Sequence, residues 1–337
     1  MRLVASFLMP KNKELSKFDI KNNYISGRVT QVHRDQYIVA TSQDEVRAVA
    51  KGTLFHNAAV RADFPCVGDY VELKYSPSGV SQIAAVLPRR TKFSRANFSG
   101  KGAGFVKNVL EQVVCANFDY VFIISSLNQD FNVERILRYL TQARQSGGEP
   151  VVILTKADLC EGHEDFVQQI VQNAPNVGVH AVSAHTGFGL DGLAKYLQPE
   201  KTVVFLGMSG VGKSSLLNAL MDAEVMAVSG IRESDSRGRH TTTHRQLFAL
   251  PSGAYIIDTP GMRELGLLEA GDGIAEEFED VEELFDRCKF RSCTHRAEPG
   301  CAVLAAIAEG ILAKDRWRRY QKQLREHKFV ETKRKRK

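Results

Sequence analysis

Between residues 24 and 87 apolar and polar positions alternate in short runs broken by turn residues. "SGRVTQVH", "YIVAT", "EVRAVAK", "DYVELKY" and "VSQIAAVL" follow one another, and in the fourth Val71, Leu73 and Tyr75 take every second place. A period of two belongs to half-buried strands. Strands of this kind in close succession predict a small β-barrel of the oligonucleotide/oligosaccharide-binding (OB) type. An SH3-like barrel fits the same pattern, because alternation does not reveal strand order.

Further along the period changes. "DYVFIISSL" is a continuous apolar run, as in a strand buried on both faces, and Val133, Ile136, Leu137 and Leu140 then recur at helical spacing. "PVVILT", "VGVHAVSA" and "TVVFLG" predict further strands, with "DFVQQIVQ" and "LDGLAKYL" as helices between them. Strands alternating with helices predict a mainly parallel, doubly wound α/β sheet. "HRQLFAL" and "AYIID", joined by "PSG", predict a hairpin that supplies an antiparallel edge. From about residue 262 the chain turns helical and polar. The chain therefore reads as multidomain: a tail over 1–23, an OB-like barrel over 24–90, a basic linker over 91–110, an α/β domain over 111–265 and a helical module over 266–337.

At 337 residues each of these domains can bury its own core. No apolar run approaches the ~18 residues of a membrane helix, and the start "MRLVASFLMP" does not read as a secretion signal. A cytoplasmic protein without a membrane partner is expected, and a monomer, since no apolar stripe is left unexplained. Charge sharpens the picture. The net +6 hides a segment 314–337 with twelve Lys or Arg against three acids, a net of +9, which leaves −3 for the rest. A second basic island holds Arg89, Arg90, Lys92, Arg95, Lys101 and Lys107, interleaved with Phe93, Phe98 and Phe105. Concentrated cations beside aromatics suit a polyanionic partner such as RNA, although solvated surface segments share this composition.

Candidate chemistry starts at "GMSGVGKSS", residues 207–215, which fits G-x-x-x-x-G-K-[ST] between an apolar strand and a helix start. The backbone N–H groups of residues 208–214 (Met208, Ser209, Gly210, Val211, Gly212, Lys213, Ser214) would face the β-phosphate at the positive end of that helix, with Gly207 and Ser215 flanking them in the binding segment. Lys213 would reach the β- and γ-phosphates, and the Ser214 hydroxyl would ligate the Mg²⁺ that accompanies a nucleoside triphosphate. "YIIDTPG" ends a strand in Asp-x-x-Gly, so that Asp258 can hold the Mg²⁺ shell and Gly261 can offer its N–H to a γ-phosphate. In "GRHTTTHR", one of Thr241–Thr243, with Thr242 as the candidate, would complete the metal shell; β-branched strand residues are the equal alternative.

Base choice would rest on two earlier segments. In "TKAD" (Thr155, Lys156, Ala157, Asp158) a carboxylate can accept from guanine N1 and N2, and the lysine stem can cover the base. In "SAH" (Ser183, Ala184, His185) the Ala184 N–H can donate to guanine O6. Adenine offers none of these complements, so GTP is favoured over ATP.

The six cysteines divide. Cys66, Cys115 and Cys160 stand alone and are expected in the core, whereas Cys288, Cys293 and Cys301 join His295 in C-x₄-C-x-H-x₅-C. Three thiolates and one imidazole suit tetrahedral Zn²⁺ with no open position, hence one structural zinc. After it comes a basic helix carrying Trp317 and Tyr320.

Taken together, the five nucleotide segments resemble those of Ras-like GTPases in rotated order: TKAD and SAH precede GMSGVGKSS, GRHTTTHR and DTPG, as in a circularly permuted GTPase. With the barrel before and the Cys/His segment after, the chain resembles the bacterial ribosome small-subunit-dependent GTPase A family over essentially its whole length. The resemblance implies a GTP hydrolase of low intrinsic activity that binds the 30S subunit and its rRNA, is stimulated by the subunit and acts in its late maturation. Two residues depart from the Ras-like pattern. Thr155 replaces an asparagine whose amide ties the loops together, and Met262 stands where Ras-like enzymes carry the glutamine that orients water. Hydrolysis therefore needs another group, and His240 is the candidate, against the alternative of an exposed loop histidine. A P-loop ATPase or kinase, or a non-enzymatic RNA binder with a vestigial site, are the rival readings; intact Lys213, Ser214 and Asp258 speak against decay.

Overall fold

The computed structural model describes residues 24–33, 36–42, 44–52, 54, 61–99, 108–128, 131–223, 225, 245–258, 278–290 and 292–335. The N-terminal strands are β1 (Tyr24–His33), β2 (Gln36–Thr41), β3 (Glu45–Ala50), β4 (Tyr70–Lys74) and β5 (Ser81–Val86). β1 pairs with β2 and β2 with β3, both antiparallel; β3 pairs with β5 in parallel, β5 with β4 antiparallel, and β4 returns to β1. The ring is closed, and its parallel pair cannot come from a simple meander, which decides for the Greek-key OB arrangement. Val29, Val39, Val71, Leu73 and Ile83 fill its interior with no exposure. A bulge between Val29 and Gln31 bends β1, and at Gly27 a Cβ would lie 2.5 Å from Val39 Cγ1, so the closure needs glycine there.

The stretch that reads as a basic linker is partly regular. β6 (Lys92–Ser99) and β7 (Asn108–Ala116) form an antiparallel two-stranded ribbon, so the basic residues Lys92 and Arg95 sit on a strand. Phe93 anchors it, stacked on Phe118 at 5.1 Å. Cys66 and Cys115 are buried where ribbon and barrel meet, and burial pushes the Cys115 thiol up to about 12; Cys160 is half-buried instead of in the core.

The α/β domain runs β8 (Tyr120–Ser126), α1 (Val133–Gln145), β9 (Glu149–Thr155), α2 (His163–Asn173), β10 (Gly178–Ala181), β11 (Thr202–Leu206), α3 (Lys213–Met221), β12 (Gln246–Ala249) and β13 (Tyr255–Asp258). Strand order is β10-β9-β8-β11-β13-β12; the first five are parallel and β12 is antiparallel. The helices cover two apolar clusters, one around Ile123, Leu137, Leu140 and Val204, the other around Phe122, Val203, Phe205 and Leu216. Asn132 caps α1, its Oδ1 accepting from Arg135 N at 2.9 Å.

Two sequence expectations change here. "LDGLAKYL" forms only a 3₁₀ turn, Asp191–Leu193, with further turns, although Leu193, Tyr196 and Leu197 are buried as its spacing requires. Gly192 and Pro199 leave too little chain between them for stable α-turns. The expected edge strand β12 is not an edge either, because β1 of the barrel pairs with it at Gln31↔Gln246 and continues the sheet.

The C-terminal module contains α4 (Glu279–Glu282), α5 (Ala302–Ala308) and α6 (Lys314–Lys335) around Phe278, Val281, Val303, Trp317 and Tyr320. It docks on the α/β domain through α6. Arg316 donates to Asn173 O at 3.0 Å and pairs with Asp280, while Arg319 donates to Asn173 Oδ1 at 2.6 Å and to Glu134 Oε1 at 3.1 Å. Asn173 ends α2, so Arg316 satisfies one of the carbonyls that a helix C-terminus leaves open. Among the described residues no helix is long and apolar enough to cross a membrane.

Candidate nucleotide site and metal centre

β11 delivers the chain into residues 207–212 and α3 takes it away, the strand–loop–helix setting that a phosphate cradle requires. Gly207 is buried, and a Cβ on it would lie 2.4 Å from Ile124 O. Gly210 (φ +81) and Gly212 (φ +93) take left-handed conformations that turn the loop back on itself. No side chain caps α3, and Leu216 N donates to Gly212 O at 2.9 Å to close its first turn. Lys213 Nζ donates to Gly207 O at 2.8 Å and to Met208 O at 2.5 Å, folding its ammonium over the loop. Ser214 and Ser215 follow in the first turn, both half-buried, and Ser209 and Gly210 are exposed at the tip.

TKAD, distant in sequence, meets this loop, and SAH is joined to TKAD. Thr155 ends β9, and its Oγ1 lies 2.6 Å from Val211 O and 3.3 Å from Ser125 O. One hydroxyl carries one proton, so the nearer Val211 carbonyl receives it. Lys156 is left-handed (φ 63), which turns the chain into the 3₁₀ helix Ala157–Leu159 and sets Asp158 out into solvent. Ala157 N donates to Val182 O at 3.1 Å, joining this turn to the end of β10. There Ser183 is buried and its Oγ accepts from His185 N (3.2 Å) and Thr186 N (3.1 Å), which fixes the turn bearing the half-buried Ala184. Asp258 ends β13, 4% exposed, in register with Phe205 of β11 two residues before the loop begins. His240, Thr242 and Gly261 lie outside the described residues.

Thr155→Val keeps the shape at residue 155 but leaves the Val211 carbonyl without its donor. The expected cost is about 1–3 kcal/mol, measured as a lower melting temperature together with weaker GTP binding by calorimetry. Unchanged GTP affinity would deny the hydroxyl its part in holding the loop.

In the C-terminal module Cys288, Cys293, His295 and Cys301 place their ligand atoms within 4.8 Å of one another. His295 Nδ1 lies 3.6 Å from Cys288 Sγ and 3.5 Å from Cys301 Sγ, the edge lengths of a tetrahedron around a cation with ~2.0–2.3 Å bonds. The donor set is soft and complete, and the four residues can hold a zinc ion. His295 (φ 58) is left-handed, stacked on Phe285 at 4.3 Å and edge-on to Trp317 at 5.7 Å. The motif does not reveal the part of Glu298. Its carboxylate accepts from Thr294 N (2.8 Å), Thr294 Oγ1, Arg296 N (2.9 Å) and Ala297 N (3.1 Å), which clamps the loop between the second and fourth donors. Those bonds, the Thr294 hydroxyl first, hold the Glu298 carboxyl well below the usual carboxylate range.

The fold agrees with known proteins. The family described as RsgA GTPase matches residues 86–268. A protein of Listeria monocytogenes serotype 4b (strain F2365), named small ribosomal subunit biogenesis GTPase RsgA 2, is 44% identical over 304 residues, which cover 89% of this chain and 84% of that one. The chain belongs to the RsgA GTPase family. An RsgA protein of Opitutus terrae (strain DSM 11246 / JCM 15787 / PB90-1) is 41% identical over 321 residues, covering 91% of this chain and 85% of its own. Among solved structures, YjeQ from Thermotoga maritima aligns with a TM-score of 0.65 at 26% identity, over 90% of this chain and 98% of that one. YloQ, described as a circularly permuted GTPase, aligns with a TM-score of 0.63 over 93% of this chain and 98% of its own; at 23% identity it speaks for the fold alone. As a member of the RsgA family the chain is a GTPase, and its rotated segment order matches the circularly permuted fold of YloQ. A parallel sheet accepts the rotation because the pieces of the site meet at the carboxyl ends of its strands, whichever strand comes first in the chain.

Proposed function

We propose that this chain hydrolyses GTP at the pocket where TKAD, SAH and the phosphate loop converge, and does so in the biogenesis of the small ribosomal subunit. The family supports the activity and its setting. The Thr155–Val211 contact carries the placement, since it joins the base-reading segment to the phosphate-holding one at 2.6 Å. In this reading the N–H groups of residues 208–214 bind the β-phosphate and Lys213 balances charge that grows on the β–γ bridge in the transition state. Asp158 accepts from guanine N1 and N2, the Lys156 stem covers the base, and the Ala184 N–H donates to O6. Ser214 and Asp258 offer a hydroxyl and a carboxylate, hard oxygen donors that suit Mg²⁺ and lie beside the same loop. Mg²⁺ bound there would neutralise charge on the β- and γ-phosphates. Thr242, Gly261 and His240 are assigned to the γ-phosphate side, with His240 as the group that orients water.

The zinc is structural in this reading, because four protein donors leave no position for water or substrate. The OB barrel, the β6–β7 ribbon with Lys92 and Arg95, and the basic α6 face the small subunit's rRNA through phosphate contacts and stacking. With Met262 unable to orient water, turnover alone is slow and the subunit raises it. We place the protein in the cytoplasm as a monomer, where small subunits are assembled.

The test is Asp158→Asn. An amide cannot accept from both guanine N1–H and N2–H, so GTP affinity falls by about 5- to 150-fold (about 1–3 kcal/mol) while the already weak ATP affinity barely moves. Equal GTP affinity in the variant and the parent would sink this assignment of the base pocket.

A further inference from the structure

Arg28 of β1 is 4% exposed, and its guanidinium reaches out of the barrel into the α/β domain. It donates to Asn117 O at 2.9 Å, to Thr202 Oγ1 at 2.9 Å and to Gly68 O at 3.4 Å. Tyr70 of the barrel lies 5.0 Å from it on one side and Tyr255 of β13 lies 5.2 Å away on the other. No carboxylate among the described residues bonds it. The Asp119 carboxylate, which accepts from Thr202 N at 2.9 Å, favours the guanidinium charge without bonding it. A cation whose direct partners are neutral oxygens and ring faces is an expensive way to join two surfaces, which apolar packing would join as tightly; what its fork adds is a single fixed geometry.

What the fork fixes is the frame of the nucleotide site. Thr202 is the first residue of β11, whose far end runs into Gly207, and Tyr255 is the first residue of β13, whose far end is Asp258. At that far end the barrel touches the frame again. Gln31 pairs with Gln246, Gln246 with Asp258, and Asp258 with Phe205, so one cross-strand row runs from the barrel to the strand before the phosphate loop. β1 thus grips this part of the sheet at both ends. Gly68 presses the barrel against the end of β7 and against β13: a Cβ there would lie 2.1 Å from Ala116 O and 3.1 Å from Ile257 Cδ1. Asn117 (φ 58) completes the joint, donating to Gly68 O at 3.2 Å and accepting from Arg90 N at 2.9 Å.

From these contacts we infer that Arg28 is a positioning residue for hydrolysis. Through Thr202 and Tyr255 it makes the barrel and the strands bearing the phosphate loop and Asp258 one rigid body, so that RNA bound on the barrel acts on the rate of GTP hydrolysis. The inference rests on the proposed function, in which the barrel meets rRNA and the subunit stimulates turnover. Arg28 acts at the ends of β11 and β13 away from Gly207 and Asp258, so its effect belongs in the stimulated kcat and not in basal turnover or the KM for GTP.

The experiment measures GTP turnover alone and with purified small subunits, together with subunit affinity, zinc content and melting temperature, for Thr202→Val, Arg28→Met and Arg28→Lys. Thr202→Val preserves the strand and removes one acceptor of the fork, so it keeps the test valid if Arg28→Met does not fold. The expected result is basal turnover, KM and subunit affinity near those of the parent, with stimulation by subunits reduced about 2- to 30-fold. Arg28→Lys, which keeps the charge and loses the fork, falls with Arg28→Met. Stimulation that survives in Thr202→Val and Arg28→Lys, or basal and stimulated rates that fall by the same factor, would overturn the inference and leave Arg28 a stability element. A parent protein that small subunits bind without stimulating, or do not bind, would overturn the proposed function itself and this inference with it.

Discussion

Lys213→Ala lowers GTP turnover about a hundred- to a thousandfold while zinc content and fold stay as they were. The side chain already lies over the phosphate loop, bonded to Gly207 O and Met208 O, so it needs only a rotamer change to reach an anion seated there. Removing a single charged stabiliser from a site of this kind costs about 10²–10³ in kcat. The fold should survive, because Lys213 opens α3 half-buried and the α3 residues that are fully buried are Leu216 and Leu217. Single-turnover hydrolysis with radiolabelled GTP measures the first effect, and metal analysis with circular dichroism the second. Turnover within threefold of the parent would mean that the chemistry is done elsewhere.

Withdrawing the metal is expected to unfold the C-terminal module and leave the nucleotide site in place. The module spans at most residues 266–337, a length at the lower edge of the ~70–80 residues below which an apolar core alone rarely suffices. Its core is also built against the ligands, with Phe285 stacked on His295 and Trp317 edge-on to the same ring. A structural zinc site contributes roughly 10–16 kcal/mol of apparent binding energy, most of it folding energy in so small a unit. The chain contains one tryptophan, and Trp317 is 8% exposed, so its emission reports on the metal centre alone. Chelation, or Cys301→Ser, should shift that emission to the red and open 278–335 to protease, with GTP binding retained. An unshifted spectrum after the zinc has been removed would show that the apolar cluster holds by itself.

Much of the site was legible because each piece needs a local backbone form that only certain residues allow. The phosphate loop needs glycine at the positive-φ positions 210 and 212, and the motif states it. The metal quartet lies within a short stretch of chain, so spacing alone brings its donors together. Other features have no such local signature. Residues 91–110 read as a linker, yet strands β6 and β7 occupy their described part, because pairing with a distant partner outweighs a weak alternation. "LDGLAKYL" has a helix's apolar spacing and forms turns, since Gly192 and Pro199 shorten what packing could otherwise stabilise.

Taken by itself, the amino-acid sequence determined which short segments carry a phosphate-loop motif and a soft-metal quartet, and that the segment order is rotated. These depend on interactions over a few residues, whose energies are set by the local chain. Only the tertiary structure decided what those pieces touch. Thr155 reaches Val211 across 56 residues and Arg28 reaches Thr202 across 174, while β1 of the barrel continues a sheet that ought to have ended at β12. Contacts at such separations depend on which apolar faces are buried together, a property of the whole packed chain that no single segment carries.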